Sequence, residues 1–89
     1  MSRRFRRNDD VAFQSLMDQV VIVSARTREV HVLNGTGSRV WALLEHEASA
    51  ADLAHALCGE YDMGAADAEA EIETFLRELE EKGLTAPPP

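Results

Sequence analysis

The amino-acid sequence predicts an α+β domain in which three strands come first and three helices follow. The first third of the chain holds runs of β-branched residues, clearest at residues 20–23, separated by short polar connections. Beyond it, apolar residues recur at helical spacing. The 89 residues suffice for one domain and not for two. We expect a flexible basic arm over residues 1–9, a single domain over 10–84 and a proline-rich tail over 85–89.

The three strands are predicted over residues 11–16, 20–23 and 29–33. Residues 17–19 read as a turn, and residues 24–28 form a polar connection of the length that hairpins use. Successive hairpins produce an antiparallel meander. The third strand therefore leads directly into the helical part.

The third strand gives the first indication of function. Alternation places Glu29, His31 and Leu33 on one face and Val30 and Val32 on the other, so both faces carry apolar atoms. A bare apolar edge strand invites pairing with another chain. We therefore predict that this strand is the binding edge.

The sequence Asn-Gly-Thr-Gly at residues 34–37 joins the last strand to the first helix. Asn34 suits an N-cap, and Gly35 and Gly37 permit a sharp change of direction. The apolar residues within 39–44 then predict the first helix.

Two further helices are predicted over residues 50–60 and 65–82. Ser49 and Asp52 have the spacing of a capping box at the start of the first of these. Lys82 followed by Gly83 suits the C-terminal end of the helix over residues 65–82. The apolar face of that last helix is formed by Ala68, Ile72, Phe75, Leu76 and Leu79.

Charge and composition exclude several functions. Net charge is −7, divided into +2 over residues 1–29 and −9 over residues 30–89, and so acidic a body repels nucleic acid. No apolar run has the length of a membrane helix, and the N-terminus lacks the apolar segment of a secretion signal. The single cysteine, Cys58, excludes an internal disulfide and fits a reducing compartment. We expect a cytoplasmic protein without a membrane partner.

Catalytic and cofactor patterns are not recognisable. The three histidines, His31, His46 and His55, lack the spacing of metal ligands. Gly35 and Gly37 lack the further glycine and the lysine of a phosphate loop. We therefore predict a protein that is not an enzyme and binds neither a cofactor nor a metal.

Four segments resemble motifs of the coenzyme PQQ synthesis protein D (PqqD-like) family, and the resemblance covers residues 10–84. The domain of that family is also called the recognition element of ribosomally made, post-translationally modified peptides (RiPPs). Residues 30–37 are similar to its aromatic-x-Leu-Asn-x-Thr-Gly signature, although His31 replaces the aromatic residue. Residues 40–44 resemble its Ile/Val-Trp-x-Leu-Leu helix, residues 52–62 its second helix and following loop, and residues 75–84 its Phe-Leu-x-x-Leu-x-x-x-Gly-Leu ending.

The resemblance implies a winged helix-turn-helix-like domain that binds the leader segment of a precursor peptide. The leader would add as a strand beside residues 29–33, in a groove closed by the third helix. The domain would then present it to a modifying enzyme, such as a radical SAM enzyme or a leader peptidase. Glu69 and Glu73, at the rim, would favour basic leader residues by electrostatic steering. The peptide-binding residues implied are Glu29, Val30, His31, Val32, Leu33, Ala68, Glu69, Ile72, Glu73, Phe75, Leu76 and Leu79, some of which we expect to belong to the core.

Other readings remain open at this stage. A winged-helix DNA-binding regulator would need a basic recognition helix, and the predicted helices over 50–60 and 65–82 are neutral or acidic. A protein-interaction adaptor that retains the fold is a second alternative. Assembly into a homodimer would add stability to so small a core.

Overall fold

The computed structural model describes residues 4–60 and 64–86, which form six strands and three helices. The α+β class, with a three-stranded antiparallel sheet and three helices, is confirmed. The strands are β1 (Arg4–Arg7), β2 (Val11–Leu16), β3 (Gln19–Ser24), β4 (Val30–Asn34), β5 (Ala48–Ser49) and β6 (Thr85–Ala86). The helices are α1 (Thr36–Leu43), α2 (Ala50–Glu60) and α3 (Ala65–Glu81).

Strands β2, β3 and β4 form the predicted antiparallel meander, in that spatial order. Val20 and Ile22 of β3 are buried on the face that meets the helices. On the opposite face Val23, Val30 and Val32 are exposed. The sheet is therefore covered by helices on one side only, within the part of the chain described.

The junction between β4 and α1 differs from the prediction in its cap. Asn34 is the last residue of β4, and Gly35, at φ 56°, is the N-cap of α1. A positive φ is readily adopted by glycine, so the change of direction occurs there. The Ser38 hydroxyl lies 2.8 Å from the carbonyl oxygens of both Asp18 and Gly35. The turn between β2 and β3 is thereby tied to the first turn of α1.

The ends of α2 and α3 follow the local sequence signals. The Ser49 N–H donates to the Asp52 carboxylate (3.2 Å) and the Asp52 N–H to the Ser49 hydroxyl (3.1 Å), a reciprocal capping box. After α3, Gly83 takes φ 74° and its N–H donates to the Glu80 carbonyl, while the Leu84 N–H donates to the Leu79 carbonyl. This pair of bonds is a Schellman motif, and it returns Leu84 to the core.

The predicted flexible arm and tail are wrong at residues 4–7 and 85–86. Strand β1 pairs with β5 on one side and β6 on the other, in a second small antiparallel sheet. Phe5 is buried, and the Arg7 guanidinium donates to the Trp41 carbonyl at 2.7 and 3.0 Å. Residues 1–3 of the arm, the three prolines of the tail and residues 61–63 of the predicted loop lie outside the described residues.

The core lies between the inner face of the meander and the three helices, around the fully buried Trp41. One face of α3, formed by Ala68, Ile72, Leu76 and Leu79, is buried in this core. The buried apolar residues are Phe5, Val20, Ile22, Val40, Trp41, Leu44, Ala48, Ala50, Leu53, Ala54, Leu57, Ala68, Ile72, Leu76, Leu79 and Leu84.

Candidate binding groove

Strand β4 lies at an edge of the meander, because it pairs with β3 and with no other strand of the described residues. Two hydrogen bonds beyond its ends establish which backbone groups face β3. The Ser24 N–H donates to the Glu29 carbonyl (3.0 Å), and the Gly35 N–H donates to the Asp18 carbonyl (3.2 Å). Both pairs continue the β3–β4 register.

These two bonds determine the orientation of every residue in β4. Hydrogen-bonded and non-hydrogen-bonded pairs alternate along an antiparallel ladder. His31 and Leu33, in phase with the two bonds, direct their backbone groups at β3. Val30, Val32 and Asn34 therefore direct their N–H and C=O groups away from the sheet, where a further strand could pair with them.

A groove of about 390 Å³ runs beside this edge, between β4 and α3. Its volume lies within the range of protein ligand pockets. Seven of its thirteen lining residues are apolar, and three are charged, two on α3 and one at the C-cap of that helix. The lining residues are Val32, Leu33, Asn34, Thr36, Gly37, Val40, Leu57, Ala68, Glu71, Ile72, Phe75, Glu78 and Lys82.

Phe75 of α3 is positioned by a glycine in the first turn of α1. A Cβ placed on Gly37 would lie 3.3 Å from Phe75 Cζ and 3.8 Å from Leu33 Cβ. The missing side chain thus leaves room for the ring between α1 and β4. Phe75 remains half-buried, with part of its surface open to the groove.

The charged lining of the groove comes from one face of α3. Glu71 and Glu78 lie on either side of Phe75, about 10 Å apart along the helix axis, and Lys82 lies one turn beyond. No ion pair involves either carboxylate within the described residues. The groove thus combines apolar side chains with an acidic wall, formed by Glu71 and Glu78, whose carboxylates form no ion pair within the described residues.

The opposite edge of the meander, β2, is also unpaired in the described chain. Its surroundings differ, since the Arg7 guanidinium lies over the Phe13 ring, 4.4 Å from the centroid. The cavity that reaches β2, at Val11, is lined mainly by charged and polar side chains from residues 6–9 and 45–47. An open edge beside an apolar groove is therefore a property of β4.

Two other kinds of site are not found among the described residues. No group of three or more His, Cys, Asp or Glu side chains is placed to hold a metal ion. No described helix is both long and apolar enough to cross a membrane.

Comparison with known families identifies the fold. Residues 19–84 match the family model described as Coenzyme PQQ synthesis protein D (PqqD), which is well over half of the chain. The chain belongs to the PqqD family. The resemblance predicted from the sequence motifs is confirmed.

Three solved structures have the same fold as this PqqD-family chain. TbiB1 in complex with the TbiA(beta) leader peptide is 31% identical, with a TM-score of 0.85 over 90% of this chain and 93% of that one. Lasso peptide synthetase B1 complexed with the leader peptide is 29% identical, with a TM-score of 0.80 over 93% and 98%. The PqqD truncation of Methylobacterium extorquens PqqCD, a stand-alone RiPP recognition element, is 20% identical, with a TM-score of 0.76 over 93% and 88%. A search of curated proteins found no match.

The structure brings five of the predicted site residues together in the groove, namely Val32, Leu33, Ala68, Ile72 and Phe75. The other three predicted strand residues lie along or beside the same edge. Val30 is exposed at the start of β4, and Glu29 precedes it with its carbonyl bonded to Ser24. His31 is half-buried on the inner face, and its Nε2 has no hydrogen-bond partner among the described residues.

The other four predicted helix residues are not in the groove. Leu76 and Leu79 are fully buried in the core, and neither lines the groove beside β4. Glu69 and Glu73 are exposed but absent from the lining. At about 100° per residue they fall on the far side of the buried face of α3, opposite Glu71 and Glu78.

Sequence reasoning missed eight lining residues. The positions of Glu71 and Glu78, four before and three after Phe75, are a local signal that places them beside that ring. Leu57 carries no such signal, since α2 reaches the groove only through tertiary packing. The missed residues are Asn34, Thr36, Gly37, Val40, Leu57, Glu71, Glu78 and Lys82.

Proposed function

We propose that this chain is a non-catalytic peptide-binding protein that captures the leader segment of a ribosomally made precursor peptide. The leader adds as a strand to the open edge of β4 and is thereby presented to a modifying enzyme. The observation that carries the proposal is the row of outward backbone groups on Val30, Val32 and Asn34, directly beside an apolar groove. Two structures of the same fold, about 30% identical, contain a leader peptide.

The edge and the groove supply different parts of recognition. Backbone hydrogen bonds align the guest strand. Each contributes about 0.5–1.5 kcal/mol, whatever side chains the peptide carries. An apolar guest side chain that enters the groove against Leu33 and Phe75 contributes about 1.5–3 kcal/mol when fully buried. Selection among peptides therefore depends on the groove, while register depends on β4.

This role requires no catalytic group in the chain. Capture fixes one segment of the precursor, and the segment to be modified remains outside the groove, available to a separate enzyme. A radical SAM enzyme or a leader peptidase fits this arrangement, and the cytoplasm is where precursor and enzyme would meet. The predicted likeness to a winged helix-turn-helix remains part of the proposal.

A DNA-binding role is disfavoured by charge. Helix α3 carries seven carboxylates and one arginine, and α2 carries no lysine or arginine. Binding to DNA depends on neutralising phosphates with basic side chains. Neither helix offers them.

The test uses peptides tiled from the N-terminal halves of short reading frames beside the gene, with Val32→Pro as the decisive variant. Proline removes the outward N–H of Val32 and leaves the β3–β4 bonds intact, because an edge strand tolerates proline at such a position. We expect peptide affinity to fall by about tenfold or more. In isotope-labelled wild-type protein, peptide-induced shifts should concentrate in β4 and α3.

Two controls separate the N–H from other effects. Val32→Ala shortens the same side chain but keeps the donor, and Ser15→Pro removes an outward N–H from β2. The outward direction of the Ser15 N–H follows from the Ala25 N–H bond to the Asp10 carbonyl, because hydrogen-bonded and non-hydrogen-bonded pairs alternate along the β2–β3 ladder. Both should bind more tightly than Val32→Pro. Equal affinity of folded Val32→Pro and wild type would exclude strand addition at β4.

A further inference from the structure

The acidic wall of the groove is unevenly neutralised by the rest of α3. Glu78 has Lys82 one turn further along the helix. Glu71 has Asp67, Ala68, Thr74 and Phe75 at the corresponding positions, none of them cationic. Glu71 is therefore the carboxylate of the groove whose charge the helix leaves uncompensated.

A peptide in the groove would change the surroundings of this carboxylate. Glu71 lies one turn from Phe75, the ring against which an apolar guest side chain packs. When a guest strand covers that ring, it displaces water next to the carboxylate. A neutral or acidic guest then leaves a partly desolvated charge without a partner, whereas a cationic guest supplies one.

We propose that Glu71, with Glu78 in a weaker role, selects leader peptides that carry Lys or Arg close to their apolar anchor residue. Same-face residues of a strand are about 7 Å apart, and one helical turn advances about 5.4 Å. The cation is therefore expected about two residues from the side chain that packs on Phe75, on the Glu71 side. This inference rests on the proposed function and adds the class of peptide that the groove accepts.

The test is selection from a displayed random library of peptides about a dozen residues long, longer than a typical strand. Wild type and Glu71→Gln are selected in parallel, and the bound peptides are sequenced. Wild type should enrich Lys and Arg beside an apolar residue by about threefold to tenfold over Glu71→Gln. Glu71→Lys should instead enrich Asp and Glu at the same position.

Glu73→Gln is the matched control. It makes the same charge change on the same helix, at an exposed position outside the groove lining. It should enrich the same peptides as wild type. If the peptides selected by Glu71→Gln and by Glu73→Gln are equally depleted in Lys and Arg, the preference comes from net charge. That result would overturn the role of Glu71.

The selected peptides also distinguish failure of this inference from failure of strand addition. Peptides that lose affinity for Val32→Pro, yet show no difference in charge between wild type and Glu71→Gln, overturn the specificity alone. Peptides that bind Val32→Pro as well as wild type overturn strand addition, and the specificity with it. A library that yields no binder overturns both.

Discussion

At the scale of single residues, the shape of the groove depends on the contact between Gly37 and Phe75. The added Cβ of an alanine would lie 3.3 Å from Phe75 Cζ, closer than ordinary van der Waals contact. The ring is half-buried, and its free side is the groove. Any movement that relieves the contact therefore narrows the space for a peptide side chain.

We predict that Gly37→Ala weakens peptide binding by about threefold to tenfold with little loss of stability. The ring must shift by a few tenths of an ångström, while alanine in a helix is favoured over glycine by up to about 1 kcal/mol. Fluorescence anisotropy with a binding peptide, combined with urea unfolding, measures both effects.

Gly59→Ala is the control, because a Cβ at Gly59 of α2 meets nothing within 4 Å. It should raise the free energy of unfolding and leave affinity unchanged. If Gly37→Ala and Gly59→Ala bind the peptide equally well, Phe75 does not define the groove as we describe.

At the scale of elements, the Arg7 side chain adds a second attachment to the strand pairing that holds β1 in the fold. The partly buried Arg7 guanidinium donates to the carbonyl oxygens of Trp41 and Ala42 in the last turn of α1. It also lies 5.3 Å from the centroid of the Trp41 ring. A helix C-terminus favours a nearby cation, and α1 has no basic residue in its own last turn. Burial lowers the pKa of Arg7, against a smaller raising effect of Glu45.

We predict that Arg7→Lys lowers the free energy of unfolding by about 1–2 kcal/mol. Lysine keeps the charge but cannot reproduce the planar, forked donation of a guanidinium to a carbonyl. Urea unfolding followed by tryptophan fluorescence is suitable, since Trp41 is the single tryptophan of the chain.

The comparison variant is Arg26→Lys, at an exposed position of the β3–β4 hairpin. It should leave the unfolding midpoint unchanged. An equally small effect of Arg7→Lys would mean that the pairing of β1 with β5 and β6 holds the strand without this contact.

At the scale of the whole molecule, charge has two effects. One ion pair links α1 to α2, and the net negative charge makes separate copies of the chain repel each other. Arg39 of α1 donates to both carboxylate oxygens of Glu60 on α2, at 2.6 and 2.8 Å. The net charge of −7 opposes association of two bare edge strands. Repulsion between copies therefore favours an open edge of β4 that remains available to a peptide.

We predict that acid weakens the fold through two specific carboxylates. Hydrogen bonds from the backbone and side chain of Ser49 lower the pKa of Asp52, and the hydrogen bond from Arg39 lowers the pKa of Glu60. Because both pKa values are below the ordinary 3.8 and 4.5, their stabilisation is complete above those values. It is lost as the pH falls through the lowered folded-state pKa values.

Urea unfolding at several pH values checks this prediction with Glu60→Gln. Stability of the variant should fall less steeply than that of wild type below about pH 4.5, the ordinary pKa of the Glu60 carboxyl. Glu73→Gln makes the same change of net charge on α3 and should retain the wild-type slope. Identical slopes for wild type and Glu60→Gln would exclude the Arg39–Glu60 contact as a source of acid sensitivity.

The elements that sequence analysis located correctly are those specified by neighbours in the chain. Helix α2 occupies the predicted residues 50–60, since the Ser49–Asp52 capping box starts it. Strand β1 was missed, because the sequence Arg-Phe-Arg-Arg has no strand signal. It becomes a strand by pairing with β5 and β6, which are distant in the chain.

The site was anticipated only in part, for a similar reason. Phe75, Leu76 and Leu79 belong to one apolar face by periodicity, and periodicity cannot separate groove from core within that face. Leu76 and Leu79 are buried, whereas Phe75 borders the groove, because the elements packed on α3, chiefly α2, cover only part of its apolar face. The same geometry places Glu71 on the groove and Glu73 away from it.

The sequence by itself determined the order of the meander strands and of the three helices that follow, the capping box of α2, the glycine that ends α3, and the family to which the chain belongs. These depend on alternation, helical period and short motifs, all of which act between residues close in the chain. Tertiary structure alone decided that β1 is a strand, which side of α3 faces β4, and which carboxylates line the groove. Those features arise from the packing of distant segments, whose relative placement no local pattern specifies.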